Sequence, residues 1–251
     1  MINANESMSA ARPSRKALVI LPTYNEAANI EPLLARLREL PVDLLFIDDH
    51  STDGTAQTLR RAAAAAPGRI SLLERPAKLG YGTACVAGFR WALARDYERI
   101  LGMDADLSHD PADIPRLLAA AESHDLVIGS RYIGGIRILN WPLRRLALST
   151  AAARYVRLIT GLPLHDPTSG FKCFRREVLE ALNLDRLRAN GYAFLVEVNY
   201  RVWLLGYSIT EVPIIFTERN SGQSKMSSGI IFEAVWRTSR LALRHIVSRR
   251  P

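Results

Sequence analysis

The sequence predicts an α/β protein built on a mainly parallel sheet with helices on both faces. Two observations carry that expectation. Apolar runs of strand length alternate with helix-length segments through the first half of the chain, the pattern of βαβ units. Unusual polar clusters fall at the ends of those runs, where such sheets bind ligands. The 251 residues are 48% hydrophobic and 23% charged, an ordinary globular composition that argues against dominant disorder.

The elements follow in order. Leu18–Leu21, Leu44–Ile47, Ile70–Leu73, Ile100–Met103 and Leu126–Ile128 read as short buried strands. Between them, Ala28–Glu39, Thr55–Ala66, Gly82–Arg95 and Pro111–Ser123 have helix length. The alanine run ending at Ala66, closed by Pro67 and Gly68, marks a surface helix without functional content. Beyond Gly129 the pattern loosens. A helix runs from Pro142 to about Ile159 and stops at Gly161, and a compact stretch, HDPTSGFKCF, follows over 165–174. Helices resume at Arg176–Leu182 and Tyr192–Leu205, Ser208–Ile215 reads as a strand, and Ser228–Ser248 as a final helix. Without a linker rich in Gly, Ser or Pro, the expected organisation is a polar, disordered leader over 1–15, one folded domain over 16–227, and an amphipathic helix within 228–251.

The 33 Lys and Arg against 25 Asp and Glu leave a net charge of +8, which points to anionic partners. Two cysteines, Cys85 and Cys173, exclude a disulfide scaffold and a four-cysteine zinc site. No window reaches the roughly 20 apolar residues of a spanning helix, and the polar N-terminus lacks a signal-peptide core.

Five clusters carry chemistry. Pro22-Thr23-Tyr24-Asn25-Glu26 follows the first strand; it is not a Gly-rich phosphate loop, and its structural alternative is a helix cap by Asn25 or Asn29. Asp48, Asp49 and Asp53 follow the second strand. Asp53 or Ser51 suits a cap, whereas the adjacent carboxylates of Asp48 and Asp49 repel and need a reason to persist. Asp104-Ala105-Asp106 ends the fourth strand, with Ser108 and His109 close behind. A D-x-D aims two hard ligands at one point and suits Mg²⁺ or Mn²⁺ bridging a diphosphate; His109 is expected as a solvated loop residue. Arg131, Arg137, Arg144 and Arg145 follow the fifth strand, with guanidinium forks that match phosphate oxygens. Last, Phe216–Met226 is a polar loop with Arg219 and Lys225, of the kind that closes over ligands.

Taken in this order, the five clusters resemble those of the family 2 glycosyltransferases, most closely the dolichol-phosphate (polyprenol-phosphate) mannosyltransferases of the catalytic-subunit type, over roughly residues 16–228. The resemblance implies a GT-A, Rossmann-like domain that moves a sugar, with inversion, from a nucleotide-sugar to a polyprenyl phosphate. GDP-mannose is the implied donor, a UDP-sugar the alternative. It implies that Pro22, Tyr24, Glu26, Ile47 and Asp49 hold the nucleotide; that Asp104, Ala105 and Asp106 meet the diphosphate; and that Asp104, Asp106 and Ser108 hold Mg²⁺ or Mn²⁺, some members carrying Gln where this chain has Ser108. Arg131, Arg219 and Lys225 are implied at donor phosphates, and Arg131, Arg145 and Ser149 at the acceptor phosphate. Asp106 and Arg131 are the implied catalytic residues. Asp166 and Thr168 in DPTSGF resemble bacterial members and receive no role.

A lipid acceptor implies a membrane surface, at the cytoplasmic face, and a small membrane-protein partner is compatible with it. At ~100° per residue, Phe232, Val235, Trp236, Leu243, Ile246 and Val247 share one side of the last helix, beside Arg237, Arg240 and Arg244. That pattern suits an interfacial helix or plain core packing. The Pro142–Ile159 helix, with Trp141, Tyr155 and four arginines, is a second candidate. Two other classes fit less well. A sugar nucleotidyltransferase opens on a Gly-rich loop that PTYNE is not, and a nucleic-acid-binding role has only the charge behind it.

Overall fold

The computed structural model describes residues 17–187, 189, 191–218 and 239. The expected leader, Arg219, Lys225 and the helix expected within 228–251 lie outside the described residues, Ser239 excepted.

Nine strands and seven α-helices are described: β1 Ala17–Thr23, α1 Ala27–Leu37, β2 Asp43–Asp48, α2 Thr55–Ala65, β3 Ile70–Glu74, α3 Tyr81–Leu93, β4 Arg99–Gly102, α4 Ile114–Ala120, β5 Leu126–Ser130, β6 Ile138–Leu139, α5 Leu143–Thr160, β7 Lys172–Arg175, α6 Arg176–Ala181, α7 Gly191–Leu204, β8 Ile209–Pro213 and β9 Phe216–Thr217. Seven strands form one sheet in the order β3-β2-β1-β4-β7-β5-β8. All of its pairings are parallel except those of β7, which runs antiparallel to both β4 and β5. Alternation along the strands feeds two cores. Leu18, Ile20, Leu45 and Ile47 pack toward α3, α6 and α7, while Val19, Leu21, Leu44 and Phe46 pack toward α1, α2 and α4. Both faces are therefore covered, as buried parallel strands require. Gly88 lets α3 lie directly on the sheet, since a Cβ there would stand 2.6 Å from Ile20 and 2.7 Å from Ile47.

Three expectations need correcting. The compact stretch over 165–174, read without a strand or helix, runs into one: Lys172–Arg175 is a central strand, hidden in the sequence because only four residues carry it. The expected helix over 111–123 is a 3-10 turn at Pro111–Asp113 followed by α4 at Ile114–Ala120, with Pro115 at the start of α4 and Asp110 capping the turn through Ala112 N–H. Phe216 and Thr217, placed in a ligand-closing loop, instead pair with Ile138 and Leu139 in a second, two-stranded sheet.

Candidate active site

Strand order reverses between β1 and β4: β2 and β3 lie to one side of β1, and β4 to the other. Doubly wound sheets bind ligands at the carboxyl ends of such a switch point. There the chain places Pro22–Glu26 after β1 and Asp104–Asp106 after β4. Asn25, His50 and Leu107, all at this rim, take left-handed φ values of 56°, 65° and 63°. Such backbone is uncommon for non-glycine residues and clusters at functional sites.

The Pro22–Glu26 and 48–55 loops lock together. Neither Asn25 nor Asn29 caps α1. Asn25 Oδ1 accepts from Thr52 N–H, and Asn29 Nδ2 donates to Glu26 Oε2 at 2.6 Å. The cap comes from across the crevice: Asp53 accepts Ala27 N–H at 3.0 Å, and also Thr55 N–H and the Thr55 hydroxyl. Burial pushes the Asp53 carboxyl up, but these hydrogen bonds outweigh it and hold the pKa below the usual carboxylate value. Asp49 has its reason to persist. Its carboxylate accepts the N–H groups of Leu79 and Gly80 and pairs with Arg75. Ile47, expected at the nucleotide, is buried in the core, so only the backbone at the strand end faces the rim. Tyr24 lies under Lys78, whose Nζ is 3.7 Å from the ring centroid.

At the D-x-D, Asp106 Oδ1 accepts Ser108 N–H at 3.1 Å and the Ser108 hydroxyl at 2.5 Å. The serine thereby orients the carboxylate. Ala105 between them is buried, whereas Asp104 and Asp106 are half-buried. His109 is not solvated: it is buried, tilted on Phe171 and edge-on to Phe216. Its Nδ1 accepts Asp104 N–H, and burial pushes its pKa down to about 4 despite the nearby Asp106. The ring is therefore neutral, and its 3.8 Å approach to Asp104 Oδ2 is not an ion pair. The apolar residues behind it, invisible in a linear reading, decide this.

The cations are partnered. Arg131 Nε and Nη2 each donate to Asp166 at 2.6 Å, and Nη2 also reaches Thr168 Oγ1 at 2.9 Å. Asp166 is fully buried, and Arg131 holds its carboxyl below the usual value against the opposing effect of burial. Arg145 Nη1 donates to both carboxylate oxygens of Glu218 at 2.5 Å and stacks on Trp141. Ser149 Oγ accepts from the Tyr132 hydroxyl at 2.7 Å. Arg131 lies 5.4 Å from the Phe216 ring, and Thr217 N–H donates to Ser108 C=O. The cationic and acidic halves of the rim thus share β9.

A divalent cation fits the acidic half. Asp104 and Asp106 are hard oxygen ligands at one strand end, and the Asp104 side chain is 34% exposed. Gly170 leaves room beside it, since a Cβ there would stand 3.2 Å from Asp104 Oδ1. Among the described residues no three His, Cys, Asp or Glu side chains converge, so diphosphate oxygens and water would complete the shell, as Mg²⁺ prefers. An open groove of about 560 Å³ between α1 and α2 lies at the opposite end of the sheet, beside Leu44 and Ile70, and contains none of these residues.

Sequence reasoning gave Asp166 no role and passed over Gly170, Lys172 and Glu218. Lys172 is buried, with Nζ bonded to Asn199 Oδ1 at 2.6 Å and Leu195 C=O at 3.2 Å. Burial pulls its pKa down to about 7, while Asp166 pushes it up. Polar residues crowded between apolar runs in DPTSGFK were the available signal.

The mainly parallel sheet, with a D-x-D at the rim of its switch point, has the GT-A glycosyltransferase fold. The chain belongs to glycosyl transferase family 2, whose model matches residues 18–182. It is 42% identical over 249 residues to the polyprenol monophosphomannose synthase of Mycolicibacterium smegmatis, covering 98% of this chain and 94% of the relative. It is 44% identical over 230 residues to the undecaprenyl-phosphate mannosyltransferase of Micrococcus luteus, covering 91% and 94%. Its fold matches the mannosyltransferase PcManGT of Pyrobaculum calidifontis, solved with GDP-Man and Mn²⁺, with a TM-score of 0.53 at 19% identity, over 94% of this chain and 76% of that one.

Proposed function

We propose that this protein transfers mannose from GDP-mannose to a polyprenyl phosphate, with inversion at the anomeric carbon, in a reaction that depends on Mg²⁺ or Mn²⁺. The names of the two bacterial relatives support the sugar and the acceptor class. The GDP-Man and Mn²⁺ of the fold neighbour are compatible with the donor and the ion. One observation carries the reading: the D-x-D turn, through Ser108, and the Arg131 and Arg145 guanidinia all meet the short run Phe216–Glu218, which spans β9 and the residue after it.

Donor and acceptor are both anionic and repel each other. Arg131 and Arg145 would draw the acceptor phosphate toward the sugar, while Tyr24, Glu26 and the Asp49-held loop would seat the nucleotide. Asp104 and Asp106 would hold the cation, which when bound stabilises the charge developing on the leaving diphosphate. A phosphate monoester has its second pKa near ~6 and is largely dianionic at neutral pH, so no general base is needed. The phosphate oxygen attacks the anomeric carbon in line with the departing bond, and GDP leaves with the electron pair. His109, neutral and buried, would hold the Asp104 backbone rather than move a proton.

Access to a lipid is the remaining need. No helix among the described residues is long and apolar enough to cross a membrane. On α5, however, Leu143 is 82% and Leu158 83% exposed, beside exposed Arg144, Arg154 and Arg157. Such a face suits peripheral docking on an anionic leaflet. The test is a donor panel of GDP-mannose and UDP-sugars with polyprenyl phosphate and Mg²⁺ or Mn²⁺, scored for lipid-linked product. Transfer from GDP-mannose is expected. Transfer from UDP-glucose alone would replace the donor, and no lipid product from any donor would overturn the reading.

A further inference from the structure

The segment His165-Asp-Pro-Thr-Ser-Gly-Phe171 touches both halves of the rim. On the cationic side, Asp166 meets Arg131 as a fork: Nε to Oδ2, Nη2 to Oδ1, and the Arg131 backbone N–H to Oδ2 at 3.0 Å. On the acidic side, Gly170 lies so near Asp104 that a Cβ would stand 3.2 Å from Oδ1 and 3.0 Å from the Tyr81 hydroxyl. Four anchors hold the segment between them. Glu211 on β8 accepts the N–H groups of His165 and Asp166 at 2.7 and 2.8 Å. The Ser169 hydroxyl donates to Gly129 C=O at 2.6 Å. Asn199 on α7 donates to Pro167 C=O at 2.9 Å. Lys172, in the adjoining strand, holds the same Asn199 through its Oδ1.

We propose that Asp166 is a positioning residue: from this anchored segment it fixes the Arg131 guanidinium at a set place relative to the Asp104 carboxylate, which the same segment touches through Gly170. The inference rests on the phosphate-binding role proposed for Arg131. A guanidinium has five donors. Asp166 and Thr168 take those of Nε and Nη2, and the two of Nη1 have no hydrogen-bond partner among the described residues. The fork therefore fixes the guanidinium, whose side chain is only 6% exposed, and leaves the Nη1 pair as the donors for an anion. A buried ion pair is a weak device for stability alone. Holding a side chain of many rotamers in one productive pose is what site geometry demands.

The test uses the full chain and farnesyl phosphate, with binding read by calorimetry and transfer by steady-state kinetics. Asp166→Asn keeps the shape and removes the charge. It is expected to weaken farnesyl phosphate binding and raise the acceptor KM about tenfold, the scale of one charge-assisted hydrogen bond. Binding of GDP with Mn²⁺ is expected to stay within about twofold. Thr168→Val, which removes only the hydroxyl at Nη2, is expected to raise the acceptor KM about threefold and serves if Asp166→Asn does not fold. Combined with Arg131→Lys, either change is expected to add little further loss, because the two act as a unit. Wild-type acceptor binding in both variants, or full additivity with Arg131→Lys, overturns the positioning role alone. A wild-type protein that binds no farnesyl phosphate overturns the proposed function and this inference with it.

Discussion

Arg75 Nη1 stands 2.8 Å from Asp49 Oδ1, with side-chain exposures of only 8% and 7%. Arg75 also donates to Gly80 C=O and to the Thr83 hydroxyl, while Asp49 accepts the N–H groups of Leu79 and Gly80. The pair ties the segment between β3 and α3 to the end of β2 and so brings Lys78 over the Tyr24 ring. A carboxylate expected to touch nucleotide thus also builds the wall of its crevice.

Asp49→Ala leaves the Arg75 guanidinium buried and unpaired. Loss of one partner of a buried pair costs about 3–5 kcal/mol, and urea unfolding should show a free energy of unfolding lower by that amount. Nucleotide binding should weaken in the same variant. Unaltered stability would mean that the segment is held by other contacts.

Asp106→Ala removes a ligand proposed for the cation without touching either core. Transfer should fall by about 10²–10³, the usual loss when one transition-state stabiliser is removed, and cation-dependent GDP uptake should vanish in calorimetry, while stability falls by only about 1–3 kcal/mol through the lost Ser108 hydrogen bonds. Near-normal turnover would refute the assignment.

His109 makes stability depend on pH in a defined window. Its pKa is about 4 folded, against the ordinary 6.5. The unfolded chain therefore binds the proton first as pH falls. The contribution is complete above pH 6.5, declines through the interval, and is gone below about 4. It amounts to about 3 kcal/mol at most. Chemical denaturation of wild type and His109→Phe across that window should give a steeper acid slope for the wild type; parallel slopes would show that the imidazole titrates normally.

Membrane docking through α5 is tested by Leu143→Glu with Leu158→Glu. Pelleting with phosphatidylglycerol vesicles at low salt should drop several-fold, as apolar contact is lost and anionic lipid is repelled. Removing residues 228–251 should weaken pelleting separately. If the double variant pelleted like the wild type, α5 would not be the contact.

The alternation of apolar runs with helical segments determined the parallel strands β1 to β5 and the two covered faces, because backbone periodicity is local; the antiparallel β7 between β4 and β5 escaped it. The D-x-D, the acidic end of β2 and the arginines after β5 were legible for the same reason: each cluster is contiguous in the chain. Only the tertiary structure decided who meets whom. Asp53 caps a helix 26 residues away, Asp166 grips an arginine 35 residues away, and Glu218 reaches Arg145 across 73. His109 turned from a surface residue into a buried neutral ring because Phe171, just before β7, and Phe216, on β9, come from distant parts of the chain to cover it. Partners and burial depend on long-range packing, which composition and spacing do not encode position by position.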